Sequence, residues 1–129
     1  MNLSMFFNIE ADADRRLVTA KIYGIWKAET ARDYHNEYVE VSKPLMGKEW
    51  AKLTILTNWR SSYPEIIEII GEHMRWSMEK GAVLSIYVID NPVTMRQLKQ
   101  MIEKSAAKDI TRLFKSVHEA EKYLQQKGF

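Results

Sequence analysis

The chain has 129 residues, 46% apolar and 28% charged, the size and composition of one globular domain rather than a disordered or fibrous chain. It has no cysteine, which excludes disulfides, thiolate metal sites and thiol catalysis together and fits a reducing compartment, so the cytoplasm is the expected location. The net charge is only +2, from 19 basic and 17 acidic residues interspersed along the chain, and this disfavours a nucleic-acid partner.

Residues 1–8 carry no basic stretch ahead of their short apolar run, so they read as the approach to a strand rather than a secretion signal. Met5 to Glu10 and Leu17 to Gly24 are rich in aromatic and branched residues and flank the polar stretch Ala11 to Arg15, which predicts an antiparallel hairpin. After Trp26 the period changes. Tyr34, Tyr38, Val41 and Leu45 share one helical face, Thr30 with Asp33 resembles a capping box, and Pro44 and Gly47 end the helix.

Lys52 to Thr57 reads as a central strand covered on both faces, because its apolar character is nearly continuous. Ser62 with Glu65 supplies a second capping box for a helix that packs Ile66, Ile69, Ile70, Met74 and Met78 and stops at Gly81. Val83 to Ile89 is a second buried strand. It leaves through Asp90-Asn91-Pro92, with Asn91 as N-cap and Pro92 at the first position of a third helix that turns Val93, Leu98, Met101 and Ile102 inward. Ile110 to Phe114 forms a short last strand, and Ser116 with Glu119 caps a fourth helix that packs Ala120, Tyr123 and Leu124 and closes at Gly128. The expected fold is a single α/β domain: a mixed five-stranded sheet with an N-terminal antiparallel hairpin, then βα units with right-handed crossovers, and four helices covering both sheet faces. The longest mainly apolar segment, Ala82 to Ile89, falls far short of the roughly 20 residues of a membrane-spanning helix.

A hairpin ending in Gly24, a strand running into Asn58-Trp59-Arg60-Ser61-Ser62, and a short strand before Ser116-Val117-His118-Glu119-Ala120-Glu121-Lys122-Tyr123-Leu124 together resemble the SpoIIAA-like proteins of the STAS superfamily, in particular its small bacterial group. The resemblance implies a non-enzymatic module. In the anti-sigma-factor antagonists of that superfamily, a serine opening the helix after a central strand is phosphorylated by a partner kinase, which breaks a protein complex. The matching acceptor is Ser61 or Ser62, although Arg60 and Tyr63 stand where the family pattern has an acidic residue and a glycine. The wider fold also resembles lipid carriers of the Sec14 type.

In open α/β sheets, ligands and partners meet the carboxyl ends of the strands. That edge gathers Asn58, Trp59, Arg60, Ser61, Ser62 and Tyr63 after one strand, Asp90 and Asn91 after the next, and Lys115 with Ser116 after the last. Each residue also has a plainer role. Ser62 as a helix cap contributes about 1 kcal/mol with no regulation needed, whereas a phosphate on Ser61 would sit at a helix N-terminus beside Arg60. Trp59 either anchors its loop on the core or forms the centre of an interface, and Asp90 beside Asn91-Pro92 is first a turn residue. Trp76 lies opposite the isoleucine face, so an exposed ring beside Arg75 would mark a partner surface or homodimer seam.

His35, His73 and His118 are not at the i,i+3 or i,i+4 spacing of a metal pair, and no nucleophile stands beside a base, so neither a metal, a cofactor nor a catalytic residue is expected. Met74, Met78, Met95 and Met101 suit either a core or an adaptable apolar cavity. The primary expectation is a regulatory or protein-interaction module engaging a protein partner through residues 58–63. The alternative is a carrier holding a small apolar ligand or lipid between the sheet and its second or third helix. An enzyme using Asp90, Arg60 and Ser61 in one cleft ranks last.

Overall fold

The computed structural model describes residues 6–61 and 64–129, with positions 57, 58 and 61 described by their backbone alone. Strands β1 (Phe7–Asp12), β2 (Leu17–Trp26), β3 (Trp50–Ser61), β4 (Ala82–Val88) and β5 (Thr111–Phe114) alternate, after the hairpin, with helices α1 (Ala28–Ser42), α2 (Pro64–Glu79), α3 (Pro92–Ser105) and α4 (Val117–Gln126). Short 3-10 turns at Lys43–Leu45 and Lys108–Ile110 lead into β3 and β5. The sheet order is β1-β2-β3-β4-β5, antiparallel only between β1 and β2.

This sequential order explains the layering. Right-handed crossovers that always step in the same direction return every connecting helix to the same face. Accordingly α1, α2 and α3 pack on one face, over Val18, Ala20, Ile22, Leu56 and Tyr87, while α4 alone covers the other, where Ala120 and Leu124 meet Leu53, Ile55, Ile86 and Val88. The expected α/β domain with its hairpin, five strands and four helices is present; the helices are divided three to one between the faces.

Local chemistry shifts several boundaries. The hairpin turn falls two residues later than expected because the Asp12 carboxylate accepts from the N–H groups of Asp14 and Arg15, so the strand pairing extends through Ala11 and Asp12. The proposed capping box at Thr30 and Asp33 is incorrect: α1 begins at Ala28, with Lys27 at the cap position and no side-chain cap bond. Val93 is 68% exposed rather than inward. With Asn91 as the cap, the inward stripe of α3 becomes Thr94, Leu98, Met101, Ile102 and Ser105.

The stretch expected as a loop after β3 is also corrected. A bulge lets β3 advance three residues while β2 advances two, so Gly24 pairs with Trp59 and Trp26 with Ser61, and the backbone from Asn58 to Ser61 is strand. Ser62 and Tyr63, and with them the Ser62–Glu65 capping box, lie outside the described residues.

Candidate functional site

The expected site at the carboxyl edge divides once its residues are placed. Trp59 is 2% exposed, edge-on to Trp26 at 5.6 Å, and the Thr94 hydroxyl donates to its carbonyl at 3.0 Å. Its ring anchors the core, the first of the two roles expected for it, and so is not available as the centre of an interface. Arg60 and Asp90 are exposed, and no ion pair among the described residues joins them. Asn91 is exposed, yet its side-chain oxygen is occupied as the α3 cap, accepting from the N–H groups of Val93 at 2.9 Å and Thr94 at 3.3 Å. The side chains of Asn58 and Ser61 and all of Ser62 and Tyr63 lie outside the described residues, so neither hydroxyl expected as a phospho-acceptor is placed.

The residues that the structure does bring together lie elsewhere. Central strand β3 is covered on both faces, so its alternate residues are buried whichever way they point. Ala51, Leu53 and Ile55 belong to the α4 face. Lys52 points the other way and is 1% exposed. Beneath α2 its Nζ donates to the Ser77 hydroxyl at 2.8 Å and lies 3.0 Å from His73 Nε2, while the Tyr38 ring centre is 5.0 Å away. His73 and Ser77 are four residues apart and therefore share the inner face of α2.

The hydrogen-bond directions follow from what each group has to give. The Ser77 hydroxyl spends its hydrogen on the His73 carbonyl at 2.9 Å, so its oxygen accepts from Lys52. With His73 Nε2 accepting the other Lys52 hydrogen, Nδ1 carries the imidazole proton and donates to His35 Nδ1 at 2.9 Å. His35 is then protonated on Nε2. The result is a chain of nitrogens from the buried amine, through His73, to half-buried His35.

That chain joins two spaces. At the inner end is a cavity of about 20 Å³ bordered by Tyr34, Lys52, Thr54, Trp59, His73 and Tyr87 and closed by apolar side chains of α2, α3 and the sheet. At the outer end is an open groove of about 280 Å³ where Arg32, His35 and Asn36 of α1 face Ile69, Glu72 and Trp76 of α2. Trp76 is half-buried and packs against the rings of His35, Tyr38, Trp50 and His73, so the exposed ring that would have marked a partner surface or homodimer seam is absent here.

The electrostatics follow from burial. No ion pair among the described residues includes Lys52, and desolvation pushes its ammonium down to about 7. His73 is driven well below the usual imidazole range, first by burial and then by the positive charges of Lys52 and His35. His35 is lowered by burial and by Lys52, with Glu72 opposing. Burial raises the phenols of Tyr34 and Tyr38 and pushes Tyr87 up to about 12, so none supplies a counter-anion. Two buried donors, the Tyr38 hydroxyl and Trp59 Nε1, have no hydrogen-bond partner among the described residues.

Sequence reasoning missed this cluster. A lysine within an otherwise apolar strand covered on both faces was the available signal; the meeting of His35 with His73 leaves no local spacing to read. Among the described residues no group of three His, Asp or Glu side chains is placed to hold a metal, and no helix is long and apolar enough to cross a membrane. Met74 and Met101 are core residues, with Met78 and Met95 packed against the same core. No protein-family model matches the chain, and no curated protein matches it.

Proposed function

We propose that the chain is a non-enzymatic regulatory module that binds a protein partner along the carboxyl edge of its parallel strands, the role that the resemblance to SpoIIAA-like proteins implies. One observation carries this reading. Among the described residues five large apolar side chains are exposed, Phe6, Ile25, Val83, Val93 and Val117, and of these only Val83 lies away from that edge. Phe6 precedes antiparallel β1, Ile25 is the last residue but one of β2, Val93 lies in the first turn of α3 after β4, and Val117 opens α4 after β5. Isolated exposed apolar residues need no explanation, but four on one edge, about 20 Å across five strands, form the apolar elements of a docking surface with Arg60 and Asp90 between them.

The test is site-specific photo-crosslinking from positions 25 and 93, with position 83 as the control at the opposite end. Crosslinks to one partner from 25 and 93 that vanish on Arg60→Glu support the edge. Equal capture from position 83 rejects it.

A second reading, a carrier of a small apolar ligand, is favoured by an open groove of about 340 Å³ beside β5, where Ile102 and Leu113 lie among Lys99, Glu103, Lys108 and Thr111. The interior offers such a ligand less: the cavity between the sheet and α2 and α3 is only about 20 Å³, too small for an acyl chain. Native mass spectrometry, showing or lacking an adduct that is lost on denaturation, separates the two readings.

A further inference from the structure

The buried amine of Lys52 is independent of the docking edge and has no part in it. In its neutral form a lysine amine carries two hydrogens and one lone pair. Both hydrogens are already directed, one to Ser77 Oγ and one to His73 Nε2, so the lone pair is the one valence with no partner. Lys52 also borders the cavity of about 20 Å³, too small for a sugar, a nucleotide or an acyl chain. Trp59 borders that cavity as well, and its Nε1 donor has no partner among the described residues. A free lone pair, an unused donor and a space for only a very small molecule define the chemistry: an electrophile of two or three heavy atoms that becomes a hydrogen-bond acceptor once it has reacted.

We propose that Lys52 is a carbon dioxide acceptor, forming a carbamate on Nζ inside the cavity while the displaced proton passes to the His73–His35 pair. The Nζ lone pair attacks the carbon, an N–C bond forms, and one C=O π bond opens to leave a carboxylate. The nitrogen then releases the hydrogen it already directs at His73 Nε2, and His73 passes its Nδ1 proton to His35 Nδ1. Carbamate and imidazolium together are neutral, so no net charge is added to the core.

The surroundings favour this step in three ways. Burial holds the amine near a pKa of about 7, so a large fraction is neutral at physiological pH, whereas an exposed lysine is almost wholly protonated and unreactive. The groups facing Nζ are His73 and Ser77 of α2 and Tyr38 of α1, with Tyr34, Thr54 and Tyr87 around the cavity; none of these is an acid that would hold the amine as ammonium. Replacing a cation by an anion beside His73 also reverses one of the influences that now lower its basicity.

The test uses the full chain with nitrogen-15 lysine, equilibrated at neutral pH with 13C-labelled carbon dioxide. The expected result is one carbamate resonance coupled to lysine nitrogen, absent in Lys52→Met. Crystals exposed to carbon dioxide should show a carboxylate on Lys52 Nζ, a readout that needs no variant to fold. No coupled resonance at neutral pH, or a bare Nζ beside water or unreacted gas, overturns the proposal. In His35→Leu, magnetisation exchange between dissolved carbon dioxide and the carbamate should slow by about tenfold or more. An unchanged rate would overturn the assignment of the proton to the histidine pair.

Discussion

His35 on α1 and His73 on α2, 38 residues apart in the chain, share a hydrogen bond between their Nδ1 atoms at 2.9 Å. Because His73 also meets Lys52, this contact is the outward continuation of a buried amine, and its consequences are measurable.

The stability of the protein depends on pH through Lys52. Its ammonium loses its proton at about 7 in the folded chain and at 10.5 when free in water. Between those values the unfolded chain binds more protons, so unfolding free energy rises with pH by about 1.4 kcal/mol per unit, levels off above the free value and is flat below about 7. The whole difference amounts to about 5 kcal/mol. Urea unfolding of the wild type minus that of Lys52→Met, measured across this range, should isolate the slope; a difference independent of pH would show that the amine is not desolvated.

His73→Leu keeps the apolar volume but removes the acceptor from Lys52. We expect a loss of about 2 kcal/mol near pH 6, where the ammonium is populated and needs its acceptor, and a smaller loss near pH 9. Denaturant midpoints at the two pH values check this.

These groups also mark what the sequence discloses. The hairpin, the βα alternation and the caps at Asn91 and Ser116 are legible because each is set by residues within a few positions of one another. The bulge in β3 is not, since it depends on how β2 pairs alongside, and it carries Trp59 from an expected loop into the core. Lys52 reads as a surface residue by type and as a core residue by its strand, and the strand decides. The His35–His73 contact exists only after α1 and α2 have packed, so no spacing rule reaches it. The edge residues Arg60, Asp90 and Asn91 are exposed as expected, with Asn91 engaged in its own helix.

The two tryptophans in edge-on contact should respond differently to truncation. Trp26 Nε1 donates to the carbonyls of Tyr23 at 2.9 Å and Phe6 at 3.2 Å, whereas Trp59 Nε1 has no partner among the described residues. Trp26→Phe removes both bonds, although the Phe6 carbonyl keeps the Tyr23 N–H as a donor, and with the lost ring volume should cost about 2–3 kcal/mol. Trp59→Phe removes an unsatisfied group along with part of the ring and should cost about 1 kcal/mol. Thermal unfolding of both variants provides the comparison.

Two glycines with positive φ offer a second contrast. A Cβ at Gly81, where φ is +105°, would lie 2.4 Å from the Lys48 carbonyl oxygen, while at Gly47, where φ is +84°, it would meet nothing within 4 Å. Gly47→Ala should lose only the conformational term of about 1 kcal/mol, and Gly81→Ala about 3 kcal/mol or more because the backbone between α2 and β4 must move. Equal melting temperatures for the two variants would contradict the close approach at Gly81.

Each strand is hydrogen-bonded only to its neighbours in sequence, so the chain closes short loops and never has to insert a late strand between two earlier ones. During synthesis the hairpin is available first, and every βα unit adds to an edge already made. The face covered by α4 is completed last. Leu53, Ile55, Ile86 and Val88 stay bare until Val117–Gln126 has emerged and docked. A chain made only as far as β5 therefore exposes an uncovered apolar sheet face and is prone to stick to itself.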